Sequence, residues 1–221
     1  MDVTKYKAIL FDHDGTIVDS EQVHYELWLS LIGTFANQFT EEMYANNCVG
    51  VPTESNIEYL FSCFALQESP ESLLDRKRQA TKRFLETSYF PLLEGVKDFM
   101  QFLHIKNRRM AVVSGSERFA VLRSVSGNKL EHFIELVATG DQVENNKPEP
   151  DVYNKALFDM QLDKSECLAI EDTFSGVSAA RAAGIDCIAI PNPHTLSHDF
   201  SAATLKLNNI VQLHELFERA L

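Results

Sequence analysis

Five short apolar runs set the terms on which this chain can fold: KAILF, MAVVS, ELVAT, CLAIE and CIAIP. Each is continuously apolar rather than alternating, so a strand made from it has no face to give to water. Such strands belong in a parallel sheet covered on both sides. Between the later runs lie GVKDFMQFLHIKN, SERFAVLRSV, PDVYNKALFDMQ and FSGVSAARAAG, with apolar residues at helical spacing. Strand alternating with helix predicts an α/β doubly wound domain. ATLKL near residue 205 is expected to add an edge strand, and IVQLHELFERAL a closing helix.

Residues from about 20 to 88 break this alternation. SEQVHYELWLSLIGTF, TEEMYANN, TESNIEYLFSCF and SPESLLDRKRQATKRFLETS are all helical in period, and no strand is evident among them. Ser69 followed by Pro70 reads as an N-cap with proline at the first helical position. The expected organisation is an α/β core of residues 1–19 and 90–221, interrupted by a helical insert of residues 20–89. The two connections, near Asp19–Ser20 and Tyr89–Gly95, are expected to lie side by side and to act as a hinge.

Composition narrows the classes of function. At 221 residues and 45% hydrophobic, the chain can bury a sizeable core. Lys plus Arg number 20 against 32 for Asp plus Glu, a formal net charge of −12. That balance argues against nucleic acid as a partner, because phosphate backbones call for a basic patch. No apolar run is long enough to span a bilayer, and MDVTKYK lacks the apolar core of a signal peptide. Cys48, Cys63, Cys167 and Cys187 show no C-x-x-C spacing and read as small buried hydrophobes in a reducing cytosol. Clustered KRQATKR reads as one solvated helix face.

The chemistry is written at the strand tips. In open α/β sheets ligands bind beyond the carboxyl ends of the strands. After the first strand come Asp12, Asp14, Gly15 and Thr16. After MAVV come Ser114, Gly115 and Ser116. The loop after ELVAT carries Lys147, and CLAI leads into Glu171 and Asp172. Two carboxylates one residue apart repel each other and are costly to desolvate. Crowded Asp and Glu oxygens without His or Cys suit a hard cation such as Mg²⁺. A cation and an ammonium together attract a phosphoryl group. Asp12, at the strand end, is placed to attack phosphorus, and Asp14 to exchange protons with the leaving oxygen and with water. Gly15 permits the tight turn, and the Thr16 hydroxyl is expected to order the loop after Asp12.

DHDGT, VVSGS, the lysine of KPEPDVY and EDTFSG resemble the four motifs of the haloacid dehalogenase-like phosphohydrolases, in the same order, over residues 8 to about 184. The insert resembles the small helical cap of the β-phosphoglucomutase and phosphoglycolate phosphatase branch. The resemblance implies a Rossmann-like parallel core with an inserted α-helical cap, and a Mg²⁺-dependent phosphoryl transferase with an aspartyl-phosphate intermediate. By position it makes Asp12 nucleophile and metal ligand, and Asp14 acid/base, binding metal through its backbone carbonyl. Ser114, with Gly115, and Lys147 hold the phosphoryl oxygens. Asp172 ligates metal, with Glu171 beside it as a ligand or behind the ligands. The aspartate at position 14 favours phosphate chemistry over dehalogenation.

DSEQVHYELW resembles the entry to the mutase cap. His24 either reaches the active site when the cap closes or is a helix-face histidine at the hinge; Trp28 reads as cap core. Arg118 either contacts substrate phosphate or pairs with Glu117. VGVPTES departs from the mutase pattern: Val49 stands where the mutase has lysine and Thr53 where it has arginine, the two groups that grip a second phosphate. The expectation is therefore a cytosolic phosphatase acting on a small phosphorylated metabolite, a sugar or sugar-acid phosphate, as a monomer or weak homo-oligomer. The alternative on the same fold is a sugar phosphomutase.

Overall fold

The computed structural model describes residues 1–221. Six strands form one sheet: β1 (Ala8–Phe11), β2 (Arg109–Ser114), β3 (Leu136–Thr139), β4 (Cys167–Glu171), β5 (Asp186–Ala189) and β6 (Leu205–Lys206). Their order is β3-β2-β1-β4-β5-β6, and every neighbouring pair is parallel. The five continuous apolar runs are β1 to β5, and ATLKL supplies the edge strand β6. Leu10 is level with Ala111 on one side and Ala169 on the other. The order reverses direction between β1 and β4, which opens a crevice at their carboxyl ends.

Side chains alternate across the sheet. Ile9, Phe11, Met110, Val112 and Ile170 face α5 (Val96–Ile105), α6 (Arg118–Gly127) and α9 (Ile210–Glu218), with Phe99, Val121 and Phe217 packed against them. Leu10, Ala111, Val113, Ala169 and Cys187 face α7 (Asp151–Met160) and α8 (Phe174–Ala182). This second face is rich in alanine, so the two helices approach the sheet closely. Both faces are covered, which accounts for the absence of alternation in the strand sequences.

Between β1 and β2 run four helices, α1 (Glu21–Ile32), α2 (Glu41–Asn47), α3 (Thr53–Cys63) and α4 (Pro70–Thr87), with a 3₁₀ turn over Gly33–Gln38. They bury their own apolar cluster around Trp28, Phe39, Tyr44 and Leu60. The Ser69 hydroxyl caps α4 by accepting from the Ser72 amide, and Pro70 occupies the first turn. The chain leaves and re-enters the α/β core along adjacent segments. Asp19 N donates to Pro91 O at 2.9 Å and Leu93 N to Ile17 O at 3.0 Å, flanking an antiparallel bridge between Val18 and Leu92.

Three readings of the sequence need correction. Cys63 is exposed, unlike the other three cysteines, because it lies on the outer face of α3 at its end. KRQATKR is not uniformly solvated: α4 packs on α1, and this turns Lys77 inward, 5% exposed. The Thr16 hydroxyl reaches Asp172 Oδ1 at 3.4 Å instead of its own loop. No helix is long and apolar enough to cross a membrane.

Candidate active site

The β1–β4 crevice gathers the strand-tip residues. The Asp12 amide donates to Ile170 O at 2.9 Å, so the parallel ladder continues one residue past β1 and fixes Asp12 against β4. Its carboxylate Oδ1 accepts from Lys147 Nζ at 2.5 Å. The same ammonium donates to Glu171 Oε1 at 2.7 Å and to Val113 O at 2.8 Å, which uses all three of its protons. Tyr153, buried on α7, donates its hydroxyl to Glu171 Oε1 at 2.5 Å. Asp172 Oδ2 accepts from Asn192 Nδ2 at 2.7 Å, from the loop after β5. Ser114, buried at the end of β2, accepts from the Ser116 amide at 3.0 Å.

Asp12, Glu171 and Asp172 offer carboxylate oxygens within 4.8 Å of one another, all buried. One ammonium faces three acids. Burial, which Lys147 opposes, pushes the Asp12 carboxyl above its usual range. Burial, with the charges of Asp12 and Glu171, pushes Asp172 well up, and burial raises Glu171 to about 7. Burial works against the Lys147 charge, but Asp12 and Glu171 outweigh it and raise its pKa. Glu171 Oε2 is buried and has no hydrogen-bond partner. An all-oxygen, negatively charged cluster with an orphaned carboxylate oxygen fits a hard divalent cation. Two glycines keep it open. A Cβ on Gly15, whose φ is +75°, would stand 2.2 Å from Asp172 Oδ2, and one on Gly176 would stand 1.8 Å from Glu171 Oε2.

Asp14 lies outside that cluster. The Ser20 and Ser116 hydroxyls each donate to it at 2.6 Å, one per oxygen. Burial works to raise its pKa, yet the His13 and His24 rings outweigh this and hold the carboxyl well below its ordinary range. His24 Nε2 is 3.8 Å from Asp14 Oδ1, so the structure brings His24 to the site. Arg118 is not brought there. Its guanidinium turns to the sheet edge and donates to Val137 O at 2.5 Å, while Glu117 pairs with Arg78 at 2.6 Å. Neither reading of Arg118 holds, because the first turn of α6 points it along β3.

Above the strand tips is a cavity of about 430 Å³, floored by Asp12, Ser114, Gly115 and Lys147 and roofed by α1 to α4. The roof carries groups the sequence reading passed over. Glu21 Oε2 accepts from the Tyr44 hydroxyl at 2.6 Å, and burial pushes the carboxyl up to about 7. Lys77 Nζ lies 3.1 Å from His24 Nδ1 and 5.2 Å above the Trp28 ring, and burial lowers it to about 8. Asn56 is buried among them. The one available signal was that Glu21 and His24 fall on the same face of α1, three apart. Ser175 on α8 donates its hydroxyl to Gly50 O, tying the loop before α3 to the tip of β4.

A sequence model of the haloacid dehalogenase-like hydrolases matches residues 9–190. The fructose-1-phosphate phosphatase YqaB of Escherichia coli is 31% identical over 185 residues, covering 83% of this chain and 96% of that protein. A phosphorylated carbohydrates phosphatase of Thermotoga maritima is 27% identical over 82% of this chain and 83% of its own length. Among solved structures, CbbY from Rhodobacter sphaeroides in complex with xylulose-(1,5)bisphosphate superposes with a TM-score of 0.83 at 25% identity, covering 94% of this chain and 96% of that one.

Proposed function

The chain belongs to the haloacid dehalogenase-like hydrolases and is a phosphatase of that family, and from that membership we propose that it is a Mg²⁺-dependent phosphomonoesterase of a small phosphorylated carbohydrate, working through a phosphorylated Asp12. The observation that carries this reading is the Lys147 ammonium bridging Asp12 and Glu171 in a buried acidic cluster beneath the cavity.

Asp12, Asp172 and Glu171 would hold the ion, with the Asp14 backbone carbonyl beside them. When bound, it supplies charge neutralisation for the phosphoryl oxygens and for the carboxylates themselves. Lys147, turning the proton it gives Asp12 to the phosphoryl group while Glu171 and Val113 hold the other two, and the Ser114 hydroxyl orient that group by donating to its oxygens. An Asp12 oxygen forms a bond to phosphorus as the bond to the substrate oxygen breaks, and that oxygen takes a proton from Asp14. An incoming phosphate places negative charge near Asp14, and this raises its hold on a proton. In the second half, the Asp14 carboxylate takes a proton from water. The resulting hydroxide oxygen bonds to phosphorus, the Asp12–phosphorus bond breaks, and inorganic phosphate leaves.

We assign residues 20–89 to a cap and residues 1–19 and 90–221 to the catalytic core. The paired connections at Asp19–Pro91 and Ile17–Leu93 are where the cap would swing to admit water. The likeness of the relatives supports hydrolysis over the mutase alternative, as do Val49 and Thr53. The test is p-nitrophenyl phosphate hydrolysis in Mg²⁺. Asp12→Asn should lower turnover more than about a thousandfold while the protein still melts cooperatively as a folded chain. Near-normal turnover would remove Asp12 from the nucleophile role.

A further inference from the structure

The roof of the cavity holds two acceptor atoms that no protein group satisfies, beside the Lys77 ammonium. Glu21 is 6% exposed; Tyr44 takes its Oε2, and no protein group donates to Oε1. Asn56 is 7% exposed and its Oδ1 is buried without a partner. A buried acceptor left unmatched costs free energy. Only a donor can repair it, and a substrate hydroxyl is a donor. A second phosphate, or a carboxylate, brings acceptors alone at neutral pH.

The cations of the roof are outnumbered: Lys77 and Arg78 stand against Glu21, Glu54, Glu117, Asp141 and Glu144. Lys77 Nζ is engaged with His24 Nδ1 at 3.1 Å and Thr81 Oγ1 at 3.3 Å, which leaves one of its three protons for the cavity. Arg78 is held by Glu117 at 2.6 Å and lies 3.7 Å from Glu54. Glu54, Glu117, Asp141 and Glu144 all border the cavity, so its mouth is acidic as well. A substrate with a second anionic group would leave water for a roof and mouth with five carboxylates and two cations, one of them already paired with Glu117.

We propose that this cavity selects monophosphates whose remainder is a neutral polyhydroxy chain, with Glu21 and Asn56 reading its hydroxyls, and turns away sugar bisphosphates and phosphorylated sugar acids. The proposal rests on the phosphatase reading and narrows it. Tyr44 is a positioning residue: it fixes one Glu21 oxygen and so aims the other. The floor of the site binds one phosphoryl group, and the roof discriminates by what is attached to it.

The experiment compares kcat/KM in Mg²⁺ for four probes: a ketose monophosphate, a ketose bisphosphate, phosphogluconate and p-nitrophenyl phosphate. The ketose monophosphate should exceed the bisphosphate and the phosphogluconate by at least about tenfold. Glu21→Ala, Glu21→Gln and Asn56→Ala should each lower the ratio of ketose monophosphate to aryl phosphate by about tenfold or more, because the aryl group has no hydroxyl to read. Thermal melts establish that each variant is folded, and the near-isosteric glutamine keeps the comparison if alanine is not. Equal or better turnover of the bisphosphate or phosphogluconate overturns the proposal while leaving the phosphatase intact. An unchanged ratio in all three variants also overturns it. No turnover of any probe, aryl phosphate included, brings down the phosphatase reading and this one with it.

Discussion

Burying a carboxylate with a single hydroxyl for company is unfavourable, and Glu21 does so beside Tyr44. Its folded pKa, about 7, lies above the ordinary value of 4.5. The fold therefore prefers the neutral form. The destabilisation is absent below about pH 4.5, grows as pH rises, and is complete above about 7. Glu21→Gln should stabilise the protein by roughly 3 kcal/mol at pH 8 and by little at pH 4.5, read as thermal melts at the two values. An equal gain at both would mean that packing, and not charge, is what the substitution changes. Asn192 acts on a different carboxylate, donating to Asp172 Oδ2. Asn192→Ala should weaken Mg²⁺ binding by about 10- to 100-fold in a calorimetric titration. Asn192 does not announce itself in sequence, and Glu21 does so only by its spacing from His24. That Asp12, Asp14, Lys147 and Asp172 gather in one crevice was legible because each follows the carboxyl end of a strand, at the tip or in the loop beyond it, where topology forces side chains together. Lys77 was not, since a run of basic residues on a helix gives no sign of which one its neighbours enclose. Arg118 misled for a related reason: its place beside a motif says nothing of the direction in which a helix start turns it.

The strands were the most legible elements, because burial on both faces leaves an unbroken apolar run that no other element of that length requires. The helices between β1 and β2 were legible as helices, yet their arrangement was not, since most of their apolar contacts are among themselves, with α4 alone packing on α6. Their apolar cluster is separate from the two that flank the sheet. Leu60, fully buried at its centre, contributes to α1–α4 and not to the sheet. Leu60→Ala should cost about 2–5 kcal/mol of local stability. Native-state hydrogen exchange should then quicken across α1 to α4 while β1, β2 and β4 keep their protection. Uniform acceleration through the sheet would show that the two parts unfold as one unit.

Across the whole molecule, acidic groups outnumber basic ones, and the densest part of that excess is the buried trio of Asp12, Glu171 and Asp172. A divalent ion that relieved it would bind the folded chain and find no comparable site in the unfolded one. Mg²⁺ at a hundred times its dissociation constant should add about 2.7 kcal/mol, seen as a higher melting temperature that a chelator reverses. A melting temperature indifferent to Mg²⁺ would separate the trio from metal binding. The Ser175 hydroxyl that reaches Gly50 O links this to the helices between β1 and β2, because Ser175, in the first turn of α8, lies three residues beyond Asp172. Anything that lifts Gly50 away tugs on the turn from which Asp172 projects. Were an ion held there and the helices to close over the crevice, the two would be linked: whatever the first did for the second, the second would return in equal measure.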